Sequence, residues 1–200
     1  GPVNTLNPIF ASTSAEESVS DLLFGRLLTY DTTGNLNYDL ASNMTISKDN
    51  KTYTFEIRAD AKWQDGIYVR AKDVVFTVNL IKNPATRSTI TGWDDITVKE
   101  INDRTVSFSL PAEYAAFPHA LNFLPILPEH ILRDVEPSAI RENSFSNNPT
   151  ANGPFTLRFV QEMDRGAGRK IIHLARNGEY YKGTPKLERF QLHVYNDTEE

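Results

Sequence analysis

The 200-residue sequence has no cysteine. Disulfides, thiolate nucleophiles, iron–sulfur clusters and cysteine-ligated zinc are therefore excluded. An excess of positive charge is missing too: 21 Lys and Arg stand against 26 Asp and Glu, a formal charge of −5. Nucleic-acid binders need a basic field to displace phosphate counterions, so no nucleic-acid partner is expected. No apolar run approaches the roughly 18 residues that cross a bilayer as a helix. Internal repeats and low-complexity tracts are also lacking. What is present is ordinary globular material, 40% hydrophobic and 24% charged, enough to build a core. A cysteine-free chain is compatible with export into an oxidising space. The start at Gly1-Pro2 carries no signal-peptide pattern and reads as a leader-trimmed end or a cloning scar.

Periodicity predicts a mixed α/β chain. Ser14-Ala15-Glu16-Glu17 reads as a capping box in which Ser14 caps and Glu17 answers. Val19, Leu22, Leu23 and Leu27 follow at helical spacing. Residues 30–34 form a turn, 38–47 are extended and 48–51 turn again. Tyr53, Phe55 and Ile57 alternate with Thr54, Glu56 and Arg58, a strand with one buried face. Trp63-Gln64-Asp65-Gly66 is a tight turn before a second helix over 73–82, which Pro84 stops. Residues 96–110 read as a hairpin around Asn102-Asp103-Arg104. Short helices are expected within 114–123, at 129–132 and near 137–142. Strands at 155–160 and 171–174 flank a turn at 165–168. Phe190, Leu192 and Val194 alternate as a last strand before Thr198-Glu199-Glu200, an end that reads as a truncation.

Spacing gives catalysis no support. His119, His130, His173 and His193 are dispersed, so no helix-borne metal pair exists, and neither metal nor cofactor is expected. Nucleophile elbows, Walker loops and dinucleotide fingerprints do not occur. Arg165-Gly166-Ala167-Gly168-Arg169 joins two strands and reads as a hairpin loop, not a phosphate cradle. N-x-T sequons start at Asn43, Asn50 and Asn196.

Several stretches carry more when taken in order. They are Thr5-Leu6-Asn7-Pro8; Leu22-Leu23-Phe24-Gly25-Arg26-Leu27-Leu28-Thr29-Tyr30-Asp31; Lys51-Thr52-Tyr53-Thr54-Phe55-Glu56-Ile57-Arg58; Lys62-Trp63-Gln64-Asp65-Gly66; Ala71-Lys72-Asp73-Val74-Val75-Phe76; Asn152-Gly153-Pro154-Phe155; and Arg176-Asn177-Gly178-Glu179-Tyr180-Tyr181-Lys182-Gly183. Their order and spacing resemble the extracellular solute-binding proteins of family 5, the peptide receptors of ATP-binding-cassette importers. Two departures stand out. Gly25-Arg26 replaces the family's usual Glu-Gly, and Gly178 stands where a proline is common.

The resemblance implies a mixed-sheet α/β fold of the periplasmic-binding-protein-like type II, present as one incomplete lobe. Residues 1–28 and 129–200 would form that discontinuous lobe, with an inserted subdomain at 29–128 and a second lobe beyond residue 200. It implies a non-enzymatic receptor, with a peptide ligand and a membrane permease as partners. The receptor would be monomeric, periplasmic or extracellular, and a lipoprotein in a Gram-positive-type cell. Ligand contacts are implied at Ser12, Thr13 and Ser14 through the backbone, at Ile90 and Trp93 from the subdomain, and at Asn152 and Gly153 on the cleft floor. Relatives of the family also take metal chelates, haem, opines or oligosaccharides. A surface signalling or adhesion role on the same fold is the other alternative.

Overall fold

The computed structural model describes residues 1–164 and 169–195. After a 3₁₀ turn at Pro8–Phe10, helix α1 runs Ser14–Leu23. Strands β1 (Leu28–Tyr30) and β2 (Leu36–Tyr38) form an antiparallel pair. Strands β3 (Ala41–Ile46) and β4 (Thr52–Ile57), helix α2 (Ala71–Lys82), and strands β5 (Thr97–Asn102) and β6 (Thr105–Ser109) follow. Helices α3 (Phe117–Ala120) and α4 (Glu129–Leu132) are short. Strands β7 (Phe155–Asp164), β8 (Arg169–Arg176) and β9 (Arg189–Val194) close the chain. Two further sheets result, ordered β3-β4-β6-β5 and β7-β8-β9, and all their pairings are antiparallel.

The alternation read in the sequence has its cause in the four-stranded sheet. Tyr53 sits opposite Phe108 and Phe55 opposite Val106, all four buried on one face. Phe55 and Phe108 meet edge-on, 5.7 Å between centroids, the geometry that the aromatic quadrupole favours. Val74 and Val78 of α2 are buried with them in one continuous cluster running from Val3 to Val194. Trp63, 1% exposed, donates its indole N–H to Asp73 Oδ2 at 3.3 Å. Asp73 also accepts from the backbone N–H of Arg70 and of Glu129. The Asp-Gly turn, the start of α2 and the start of α4 are thus joined at one carboxylate. Burial pushes the Asp73 carboxyl above its ordinary value, and those three donors only partly oppose it.

Several boundaries differ from the sequence reading. The cap of α1 is Thr13, not Ser14, and the answering residue is Glu16, not Glu17. The shift by one residue follows from Glu16, whose carboxylate turns inward while Ser14 stays exposed. Leu27 lies beyond α1, because Phe24 leaves the helix in an extended conformation. α2 starts two residues earlier than expected, since Asp73 reaches back to the Arg70 N–H. Residues 28–30 pair as a strand that alternation alone did not mark. The Asp31 carboxylate gathers Thr33, Asn35 and Asn37 in the turn that follows, and the Thr33 hydroxyl above all holds its pKa down at about 2. The short helix expected within 114–123 is divided between α3 and a 3₁₀ turn at Leu121–Phe123. Strands β7 and β8 extend past their expected ends, while the turn read at 165–168, the sequon at Asn196 and the acidic end lie outside the described residues.

Candidate functional site

Glu16 organises the segment ahead of α1. It is 3% exposed and its carboxylate accepts from four backbone N–H groups, those of Asn4, Thr5, Ser12 and Thr13. Burial alone would push this carboxyl up. The hydrogen bonds outweigh burial and hold it below its ordinary value. The Ser12 hydroxyl joins the same cluster at 3.2 Å, and the Thr13 hydroxyl donates to the Pro2 carbonyl at 2.9 Å. The N–H groups of Ser12 and Thr13 are therefore already engaged.

The loop at 88–91 docks on this segment. Thr89 N–H donates to the Ile9 carbonyl at 3.0 Å, and its hydroxyl to the Ala11 carbonyl at 2.9 Å. Ser88 adds a bond to the Ile9 carbonyl at 2.9 Å. Two stretches separated by some eighty residues are thereby brought side by side. Between the loop, α1 and the chain at 122–125 lies an open groove of about 400 Å³. Its lining includes the apolar Pro8, Ala11, Ile90, Phe123 and Pro125 and the charged Glu17, Asp21 and Arg26. A second cavity of about 290 Å³ adjoins it, sharing Asp21, Arg26 and Asn122.

The residues singled out from the sequence are dispersed by the fold. Ile90 lines the groove. Ser12 and Ser14 are exposed beside it, and Thr13 is half-buried as the helix cap. Trp93 is 5% exposed and packs on Phe108 and Phe117, with centroids 6.1 and 5.9 Å away. Gly92, at φ +88°, turns the chain between Ile90 and Trp93. Asn152 and Gly153 are buried at the end of α1, and both N–H groups donate to the Leu23 carbonyl. Asn152 Oδ1 accepts from Gly25 N–H at 2.8 Å. A Cβ on Gly153 would lie 2.7 Å from the Leu23 carbonyl carbon.

Sequence reasoning missed Glu16, Thr89, Arg26 and Phe123. Glu16 had the pattern of a solvated first-turn acid, and only its position one residue from Glu17 distinguished it. Phe123 was read as part of a short helix, yet it is 66% exposed. Among the described residues no group of three or more potential ligands could hold a metal ion, and no helix is long and apolar enough to cross a membrane.

The chain is similar to known proteins along most of its length. The family model for bacterial extracellular solute-binding proteins, family 5 Middle, matches residues 35–200. The oligopeptide-binding protein AppA of Bacillus subtilis is 28% identical over 201 residues, covering 98% of this chain and 36% of its own length. The structure of that protein in complex with a nonapeptide superposes with TM-score 0.84 at 26% identity, over 98% of this chain and 39% of its own. NikZ of Campylobacter jejuni, in complex with Ni(L-His), gives TM-score 0.82 at 30% identity, over 96% of this chain and 37% of its own. The chain spans about a third of the length of the curated relatives it matches. With most of its length matched by the family model, and with the mixed α/β fold of periplasmic binding proteins, this chain belongs to the bacterial extracellular solute-binding proteins of family 5.

Proposed function

We propose that this chain is the ligand-facing part of a receptor that captures extracellular peptides and hands them to the permease of an ATP-binding-cassette importer. The observation that carries the reading is the docking of the 88–91 loop on residues 9–11. It sets a groove of about 400 Å³ beside the exposed Ser12, within the size range of ligand sites. Residues 1–28 and 129–200 form one lobe in this reading and 29–128 its inserted subdomain. A second lobe, outside this chain, closes over the ligand. Closure follows because the ligand favours the closed state. Binding and release suffice, and no bond is made or broken.

The backbone groups open to a peptide are fewer than the resemblance implied. The Ser12 and Thr13 N–H groups serve Glu16 and the Thr13 carbonyl serves the Glu17 N–H, so the Ser12 carbonyl is the acceptor proposed to pair with a peptide backbone. Ile90 supplies the apolar contact. Trp93, Asn152 and Gly153 act from behind, by holding the loop and the end of α1 in place. The proposed receptor works as a monomer in the periplasm or outside the cell, with a lipoprotein anchor where no outer membrane retains it.

A second reading has a specific observation behind it. The neighbour at 30% identity is in complex with Ni(L-His), so a small chelate is the alternative ligand. Mass spectrometry of ligand released from the complete receptor separates the two. A mixture of short peptides is expected, and a single metal chelate with no peptide would contradict the proposal.

A further inference from the structure

Building on the peptide-receptor reading, we propose that the groove between α1 and the 88–91 loop selects a cationic side chain, the lysine or arginine of a bound peptide. Part of its lining is apolar, with Pro8, Ile90 and Phe123. Phe123 is 66% exposed, a large aromatic whose face is open to a ligand. The same groove is lined by Glu17 and Asp21. They lie one helical turn apart on α1, so both project from the same face.

Arg26 decides the sign of the ligand. Its guanidinium is turned inward, with the side chain 11% exposed. Nη1 donates to the Phe24 carbonyl at 3.1 Å, and Nη2 to Ser20 Oγ at 3.4 Å and Asp21 Oδ1 at 2.7 Å. Arg26 thus compensates one of the two carboxylates and offers little charge to the groove. Glu17 has no ion-pair partner among the described residues, and the Asp21 side chain is 67% exposed. The lining holds no other basic side chain, so its balance is one negative charge.

Exposed acids on a helix are usually just solvated. Here they share an open groove with an uncovered aromatic, and closure of a second lobe would desolvate them. An anionic group would meet a lining that carries one net negative charge. A neutral apolar group would leave Glu17 unpaired and dehydrated, which is costly. A lysine or arginine answers both the apolar and the acidic lining. Its aliphatic stem covers Pro8 and Ile90, its head pairs with Glu17 and Asp21, and the Phe123 face lies within reach of the cation.

The test uses the complete receptor and short alanine peptides bearing one lysine or one norleucine, scanned through every position. Norleucine keeps the stem and removes the charge. Competition against a fluorescent peptide should show lysine favoured about tenfold at one position. Glu17→Gln with Asp21→Asn should bring that ratio close to one. Phe123→Ala, a change at an exposed position, should lower it about threefold. Equal affinities for lysine and norleucine at every position would overturn the assignment and leave peptide capture standing. So would a lysine preference untouched by these variants. If neither peptide bound the wild type, the peptide reading would fail and this assignment with it.

Discussion

Glu16 holds the N-terminal segment to α1 with a single carboxylate, and the buried Trp63 ties its turn to Asp73 of α2 with a single indole N–H. Both make testable claims. The folded Glu16 carboxyl titrates below its ordinary 4.5, held there by hydrogen bonds that outweigh burial. Such a group stabilises the fold above the unfolded-state pKa, and the contribution is lost as pH falls through the folded value. Glu16→Gln should therefore cost about 1–3 kcal/mol at pH 7, and it should flatten the loss of stability below pH 4.5. Thermal melting across pH 2.5–7 reads both effects, and an unchanged acid limb would contradict the assignment. Asp73 has the opposite sign, since burial raises it, so its protonation in acid favours the fold and partly offsets the Glu16 loss. Trp63→Ala should cost about 3–5 kcal/mol through the cavity it leaves. A variant of the complete receptor that melts like wild type but no longer binds ligand would show that Trp63 serves the ligand instead. At this scale the sequence was informative for Trp63, whose Asp-Gly turn is a local signal. It was silent on Glu16, because the four N–H groups that hold it come from residues up to 12 positions away.

At the scale of elements, the end of α1 shows what alternation and helical spacing can and cannot carry. The stripe Val19, Leu22, Leu23 marked the helix, but the stop at Leu23 depends on Asn152 and Gly153 donating to its carbonyl from across the chain. Any methyl added at Gly153 would meet the backbone at the end of α1, with the Leu22 carbonyl oxygen 2.9 Å away. That backbone cannot rotate aside, so Gly153→Ala should destabilise by about 1–3 kcal/mol, measured by urea unfolding. A neutral outcome would mean that the 152–153 turn shifts freely. Strands β4 and β6 were legible because Tyr53, Phe55 and Ile57 of the one and Val106 and Phe108 of the other lie in the core. The β1–β2 pair was not, because half of its side chains remain exposed and its Asp31 turn is held by side chains rather than by a glycine alone. Gly25 carries a further long-range requirement: a Cβ there would collide with the Tyr181 hydroxyl. That hydroxyl donates to the buried Asp39 at 2.9 Å, with Lys182 paired to the same carboxylate. The departure at Gly25-Arg26 thus has a local reason in this chain, a tyrosine that needs the space, and that pairing spans 142 residues.

Across the whole molecule, one continuous core joins residues from the start of the chain to Val194, and the groove lies on its surface, open along one side. The ordered motifs made the family legible before any coordinates. The groove was not legible, because its walls come from residues 8–26, 89–91 and 122–125, which no local pattern links. The proposed mechanism needs a second lobe to desolvate and clamp the ligand. Open contacts compete with water and contribute only about 0.5–1.5 kcal/mol each, against an association cost of an estimated 4–15 kcal/mol. The most direct measurement is calorimetric titration of a mixed peptide pool into the complete receptor and, in parallel, into the 200-residue chain. The complete receptor should bind at micromolar affinity or tighter, about −8 kcal/mol or better, and the chain alone should fall short of it. Micromolar binding by the chain alone, or no binding by the complete receptor, would contradict the account.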